Sequence, residues 1–173
     1  MPTMGTRPPL LIRAEQPRDR RQVRTVNEAA FGRSDEADLI DRLRVEGVVL
    51  TSLVAVSDGQ VVGHILFSRT TVETAQGPVL AVSLAPMAVL PGYQRRRVGS
   101  ELVVRGLAEL RDRGEGIVIV LGHKDYYPRF GFSTKARDLS SPFPPEVFMA
   151  LELADGALAG VRGCVRYPSA FGL

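Results

Sequence analysis

An apolar run from Val79 to Leu90 is broken once, at Pro86, and hands over through Pro91-Gly92 and three consecutive arginines to an amphipathic helix. No other stretch of the chain constrains its fold so tightly. Proline has no N–H to give to a ladder, so a strand through Pro86 must bulge or splay there. Beyond the arginines, Val98, Leu102, Val103, Gly106, Leu107 and Leu110 recur at helical spacing and predict one buried stripe. Glu101/Arg105 and Glu109/Arg113 stand four apart on the wet side, as ion pairs would. A strand, a basic glycine-bearing loop and a helix N-terminus in that order aim backbone N–H groups and a positive dipole at one point. That is a site for a phosphate or pyrophosphate, and Arg95, Arg96 and Arg97 add charge-assisted donors. The plain alternative is a solvated basic turn. Neither GxxxxGK[ST] nor GxGxxG occurs, so nucleoside triphosphate and dinucleotide readings lose their usual support.

Around this unit the order is mixed α/β. Leu10-Leu11-Ile12 predicts a first strand after a frayed tail at residues 1–9. Two helical faces follow, one through Val23, Val26, Asn27 and Ala30, the other through Leu39, Ile40 and Leu43. Ser34 or Asp35 is a candidate cap for the second helix. Leu50–Ser57 and Gln60–Ser68, with Asp58-Gly59 between them, predict a β-hairpin. Gly114 and Gly116 end the long helix, and Ile117–Leu121 is a wholly apolar strand of the kind buried on both faces. A short aromatic segment, Tyr126–Phe132, leads by a Pro/Ser-rich loop at Ser140–Pro145 to two last strands, Val147–Leu153 and Gly160–Tyr167. With no repeat or linker, residues 10–173 read as one domain.

Composition narrows the function classes. Twenty-two basic against 19 acidic side chains leave a net charge of only +3, which suits a pocket for an anionic ligand better than a duplex-binding surface. Cys164 is alone, so no intramolecular disulfide can form, and Met1–Pro9 lacks the apolar core of a signal peptide. No apolar run is long enough to span a bilayer. The expected location is therefore the cytoplasm, with no membrane or nucleic-acid partner. His64, His123 and Cys164 lack metal-ligand spacing, so no metal is expected. Ser100 stands outside any G-x-S-x-G elbow, which removes the hydrolase nucleophile.

The stretch Ser83–Leu102 resembles the acetyl-CoA motif of the GNAT superfamily of N-acetyltransferases, an apolar strand followed by Gln/Arg-x-x-Gly-x-Gly/Ala. Gln94, Val98 and Gly99 match it and Ser100-Glu101-Leu102 continue it, while Arg97 stands where the first glycine is expected. A second likeness lies in Leu121–Phe132, where many members carry a tyrosine with three residues between it and a Gly-Phe pair. Tyr127 and Gly131-Phe132 occupy those places. Element order from Leu10 to Phe132 also follows the family. The ending, Phe148-Met149-Ala150 and then Gly163 to Phe171, is similar to a poorly characterised branch of predicted acetyltransferases, so the likeness spans nearly the whole chain.

The resemblance implies a GNAT fold, α/β (α+β) in class. Its sheet is mixed and mostly antiparallel, with helices on both faces and a bulged, splayed fourth strand. It implies acetyl-CoA as cosubstrate and transfer of the acetyl group by direct attack of a primary amine, on a small molecule, a protein N-terminus or a lysine. The pantetheine arm would run along Met87, Ala88 and Val89, with the Met87 N–H at the thioester carbonyl. Gln94, Arg95, Arg96, Arg97, Val98, Gly99 and Ser100 would hold the pyrophosphate. Tyr127 would protonate the departing thiolate, and Tyr126 would be its packing partner. The carboxylate that some relatives use as base falls at Ser83, which cannot serve; Glu36, Asp38, His64 or a water chain are the substitutes. A non-catalytic acyl-CoA-binding module on the same fold is the rival reading. A homodimer is one option for the assembly.

Overall fold

The computed structural model of the protein describes residues 8–136 and 138–173; most of the tail expected at 1–9 lies outside them. The chain runs β1 (Leu11–Ala14), α1 (Arg20–Phe31), α2 (Asp35–Glu46), β2 (Val49–Ser57), β3 (Gln60–Thr74), β4 (Gly77–Val89), α3 (Val98–Asp112), β5 (Ile117–Leu121), β6 (Leu139–Ser140), β7 (Phe148–Glu152) and β8 (Gly163–Arg166). The main sheet order is β1-β2-β3-β4-β5-β7, with β8 on the far half of β3 and β6 beside β8. Among the described residues only β4–β5 and β6–β8 are parallel pairs. Asp58 and Gly59 both take left-handed backbone, φ 49° and 73°, as a tight hairpin turn requires. β3 continues past the expected Ser68 because Thr71–Thr74 gain a second partner in Gly163–Arg166.

Pro86 shapes the middle of the sheet as its chemistry demands. Between the pairs Ile65↔Met87 and Phe67↔Leu84, Ala85 and Pro86 of β4 oppose Leu66 alone, which is a bulge. On its other side β4 meets β5 only at Val82, Ser83 and Leu84. Among the described residues, the β5-facing backbone edge of β4 from Ala85 onward therefore has no strand beside it. The fold expectation holds in its parts: mixed sheet, helices on both faces, splayed fourth strand.

Two cores fix the helices against that sheet. Leu102, Val103 and Leu110 of α3 are sealed against Leu53, Ile65, Phe67 and Val118. On the opposite face Val23 and Val26 of α1 and Ile40 and Leu43 of α2 pack on Val54, Leu66 and Ala88. A fully buried Val or Leu contributes about 1.5–3 kcal/mol each, so these stripes hold the helices in register. Ser34 sits at the α2 N-cap but its side chain makes no capping bond; Asp35, Glu36 and Asp38 in the first turn meet the dipole instead. On α3, Arg105 pairs with Glu109 at 3.4 Å and not with Glu101.

Candidate active site

The basic loop meets α3 with its backbone donors unspent. Glu101 N–H makes the first helical bond, to Arg97 O at 2.9 Å, which leaves the N–H groups of Val98, Gly99 and Ser100 without helical partners. Arg97, the N-cap residue, makes no side-chain cap and takes left-handed backbone at φ 68°, and Arg95 does the same at φ 59°. Left-handed backbone costs a non-glycine residue roughly 1–2 kcal/mol. The departure at Arg97 is thus a side chain placed where glycine fits best, kept beside three free N–H groups. Arg97→Gly should leave the protein folded, with equal or higher melting temperature, and change acetyl-CoA affinity by less than about tenfold. Relieved strain and a lost anion contact oppose each other; calorimetric titration of parent and variant reads the balance, and collapse of binding would make the arginine a main ligand.

This loop forms one side of a groove of about 820 Å³. Gln94, Arg95, Arg97, Val98, Gly99 and Ser100 line it beside Met87, Ala88 and Val89 of the splayed strand. Gln94 Nε2 donates to Val89 O at 3.0 Å, which ties loop to strand. A Cβ at Gly99 would stand close to the Tyr126 hydroxyl, at 3.1 Å, and in ordinary contact with Met87 Sδ, at 3.5 Å. The last turn of α1 supplies Ala30 and Phe31, and the 3-10 turn after β5 supplies Tyr126, Arg129 and Phe130. Two expected contacts lie elsewhere. The Arg96 guanidinium sits 5.6 Å above the Tyr93 ring and is absent from the lining. Tyr127 does not line the groove either; its ring is core, against Phe132 and Gly122.

The two tyrosines thus exchange the surroundings expected of them. Tyr126, read as the packing partner, is half-buried on the groove wall, its hydroxyl 3.3 Å from Ser100 Oγ and its ring under the Arg129 guanidinium. The Tyr127 ring meets Tyr126 edge-on at 5.1 Å. Among the described residues its hydroxyl has no hydrogen-bond partner, yet it is not one of the sealed orphan polar atoms. Burial, with Tyr126 alongside, pushes its pKa above the ordinary phenol value, so it stays protonated through neutral pH.

Comparison with known proteins decides what this groove belongs to. The profile of a family described as an acetyltransferase (GNAT) domain matches residues 12–134. The chain belongs to the GNAT family of acetyltransferases. It is 38% identical over 167 residues to the uncharacterized N-acetyltransferase YhbS of Escherichia coli, covering 94% of this chain and 98% of that one. A second uncharacterized N-acetyltransferase of that organism, YjhQ, is 43% identical over 128 residues, 73% of this chain and 71% of YjhQ. The structure of E. coli YhbS in complex with CoA superposes with a TM-score of 0.90 at 35% identity, covering 99% and 96% of the two chains. A GNAT family acetyltransferase from Brucella melitensis in complex with acetyl-CoA gives 0.80 at 34% identity, covering 94% and 98%.

Within this GNAT domain the expected bases lie away from the groove. His64 is sealed between Asn27 Nδ2, 3.3 Å from Nδ1, and Ser52 Oγ, 2.9 Å from Nε2. Ser52 in turn bonds Glu15, which Arg44 holds. Burial first, then the Arg44 charge, push the His64 pKa down to about 3, so the ring is neutral. Asp38 is tied to Arg24 and Glu36 to Arg33, and both carboxyls are held below their usual range by those partners. Ser83 is buried. Among the described residues no cluster of His, Cys, Asp and Glu could hold a metal, and no helix is long and apolar enough to cross a membrane.

Proposed function

We propose that the groove seats acetyl-CoA, with the pyrophosphate on the Arg95–Ser100 turn and the pantetheine along Met87–Val89, and that an amine attacks the thioester directly. One observation carries this: the free N–H groups opening α3 and the unpaired edge of β4 converge on a single groove. The similar E. coli and Brucella proteins are in complex with CoA and acetyl-CoA, which supports this reading. Bound there, acetyl-CoA supplies an acetyl carbon activated by its sulfur. The Met87 N–H, on the open side of the bulge, donates to the carbonyl oxygen as charge builds there. The amine nitrogen forms the C–N bond, the C–S bond breaks, the nitrogen loses a proton to water, and the sulfur takes one. Tyr127 is the donor to sulfur: its ring meets Tyr126 of the groove wall edge-on at 5.1 Å, and among the described residues its hydroxyl bonds to nothing, whereas the Tyr126 hydroxyl is shared with Ser100.

Ligand-linked stability tests the seat. At a hundred times Kd, acetyl-CoA should stabilise the fold by about 2.7 kcal/mol, a rise of roughly 5–11 °C in melting temperature for a chain of this size. Replacing both Arg95 and Arg97 by glycine should shrink that rise without lowering the melting temperature of the free protein. No shift at millimolar acetyl-CoA overturns the assignment.

A further inference from the structure

The charged side chains lining the groove are all basic: Arg95, Arg97 and Arg129. No Asp or Glu is among them, and the carboxylates of Glu36 and Asp38, outside the lining, are occupied by Arg33 and Arg24. The other titratable groups facing the groove are the phenols of Tyr93 and Tyr126. No carboxylate or imidazole in that lining attracts an ammonium or takes its proton, and Arg129, outside the pyrophosphate turn, raises the cost of bringing a cation in. The walls left beside the β4 edge are apolar, Phe31 from α1 and Phe130 from the turn after β5.

We propose that the acceptor is the N-terminal α-amine of a peptide whose first side chains are apolar, and not a lysine side chain or a polyamine. This rests on the reading that the same groove seats acetyl-CoA. With no base at hand the nucleophile must arrive already neutral. At pH 7.5 about a third of an α-amine is neutral, against about 0.1% of a lysine, an advantage of some two hundredfold before any contact is made. A polyamine would also bring further positive charges toward Arg129, the lining arginine that the pyrophosphate turn does not include. A peptide offers carbonyl oxygens instead, and the Arg129 guanidinium, stacked 4.8 Å over the Tyr126 ring, has donors for them. Phe31 and Phe130 suit an apolar first side chain.

Thiol release from acetyl-CoA tests this with three probes: a lysine-free peptide beginning Leu-Ala, its N-acetylated counterpart carrying one lysine, and spermidine. The free α-amine should exceed the others by about 10²-fold in kcat/KM at pH 7.5, and its profile should rise with pH and flatten above about pH 8 as the amine itself deprotonates. Phe31→Ala should raise KM for the peptide about fivefold or more while the acetyl-CoA thermal shift stays intact. A dipeptide and a ten-residue peptide with the same start tell a small free acceptor from a chain end; service by either supports the proposal. Equal or faster turnover of the lysine peptide or spermidine overturns it. So does the failure of every α-amine peptide, across a panel of apolar first residues, to speed thiol release from enzyme that binds acetyl-CoA. Absence of any acetyl-CoA shift in the parent protein removes the reading beneath it, which tells the two failures apart.

Discussion

Tyr127→Phe should slow turnover by about 10²-fold or more while leaving the fold and acetyl-CoA binding nearly unchanged. The substitution keeps the ring, and the ring is what packs: it lies 5.6 Å from Phe132, and a Cβ at Gly122 would meet it at 2.3 Å. Only the hydroxyl is lost, and among the described residues that hydroxyl bonds to nothing, so little stability goes with it. What disappears is a protonated phenol on a ring held in one position. The defect should ease with thioesters of more acidic thiols, because such a leaving group needs less help. Tyr126→Phe is the control. It removes the 3.3 Å contact to Ser100 and should disturb cosubstrate binding more than kcat. If the outcomes are reversed, with Tyr126→Phe slow and Tyr127→Phe at the parent rate, the acid is the tyrosine on the wall.

That ambiguity shows where sequence reading stops. The β2–β3 hairpin, the bulge at Pro86 and the α3 stripe were legible because each is written locally, in turn residues, a missing N–H or a 3.6-residue period. The basic turn was legible for the same reason: glycine, arginines and a helix start are contiguous, and Gly99, Arg95 and Arg97, though not Arg96, share one groove. Tyr126 and Tyr127 enter a four-residue 3-10 turn, and its phase is set by Gly122, Phe130 and Phe132 around it, not by spacing. Arg129 and Phe31 carry no local mark; long-range packing alone brings the end of α1 and the turn after β5 to the same opening. His64 looked available as a base. It points instead to the α1 side, where Asn27, Ser52 and Glu15 close around it. The pairing of β8 with β3, many residues earlier in the chain, likewise has no local signal.

The α3 N-terminus can serve a phosphate only while the helix lies close on the sheet, and that closeness depends on Gly106. A Cβ there would stand 2.2 Å from Phe67 Cε2 and 2.6 Å from Cζ, far inside contact distance. Phe67 is itself sealed at 0% exposure in the middle of β3, with no open space to swing into. Gly106→Ala should therefore destabilise the protein by about 1–3 kcal/mol, even though alanine recovers up to ~1 kcal/mol of helix propensity. Denaturant titration reads this as a lower midpoint at unchanged slope. Phe67→Leu alone should also destabilise, by removing ring atoms from a filled core. Together the two should cost less than the sum of the separate losses, because the methyl occupies space the ring vacates, with a favourable coupling of about 0.5–3 kcal/mol. Additive losses would show that α3 adjusts independently of Phe67. In the single Gly106→Ala variant the lifted helix should also weaken the acetyl-CoA thermal shift, and restoring the shift along with stability in the double variant would tie the geometry of the phosphate turn to the packing beneath it.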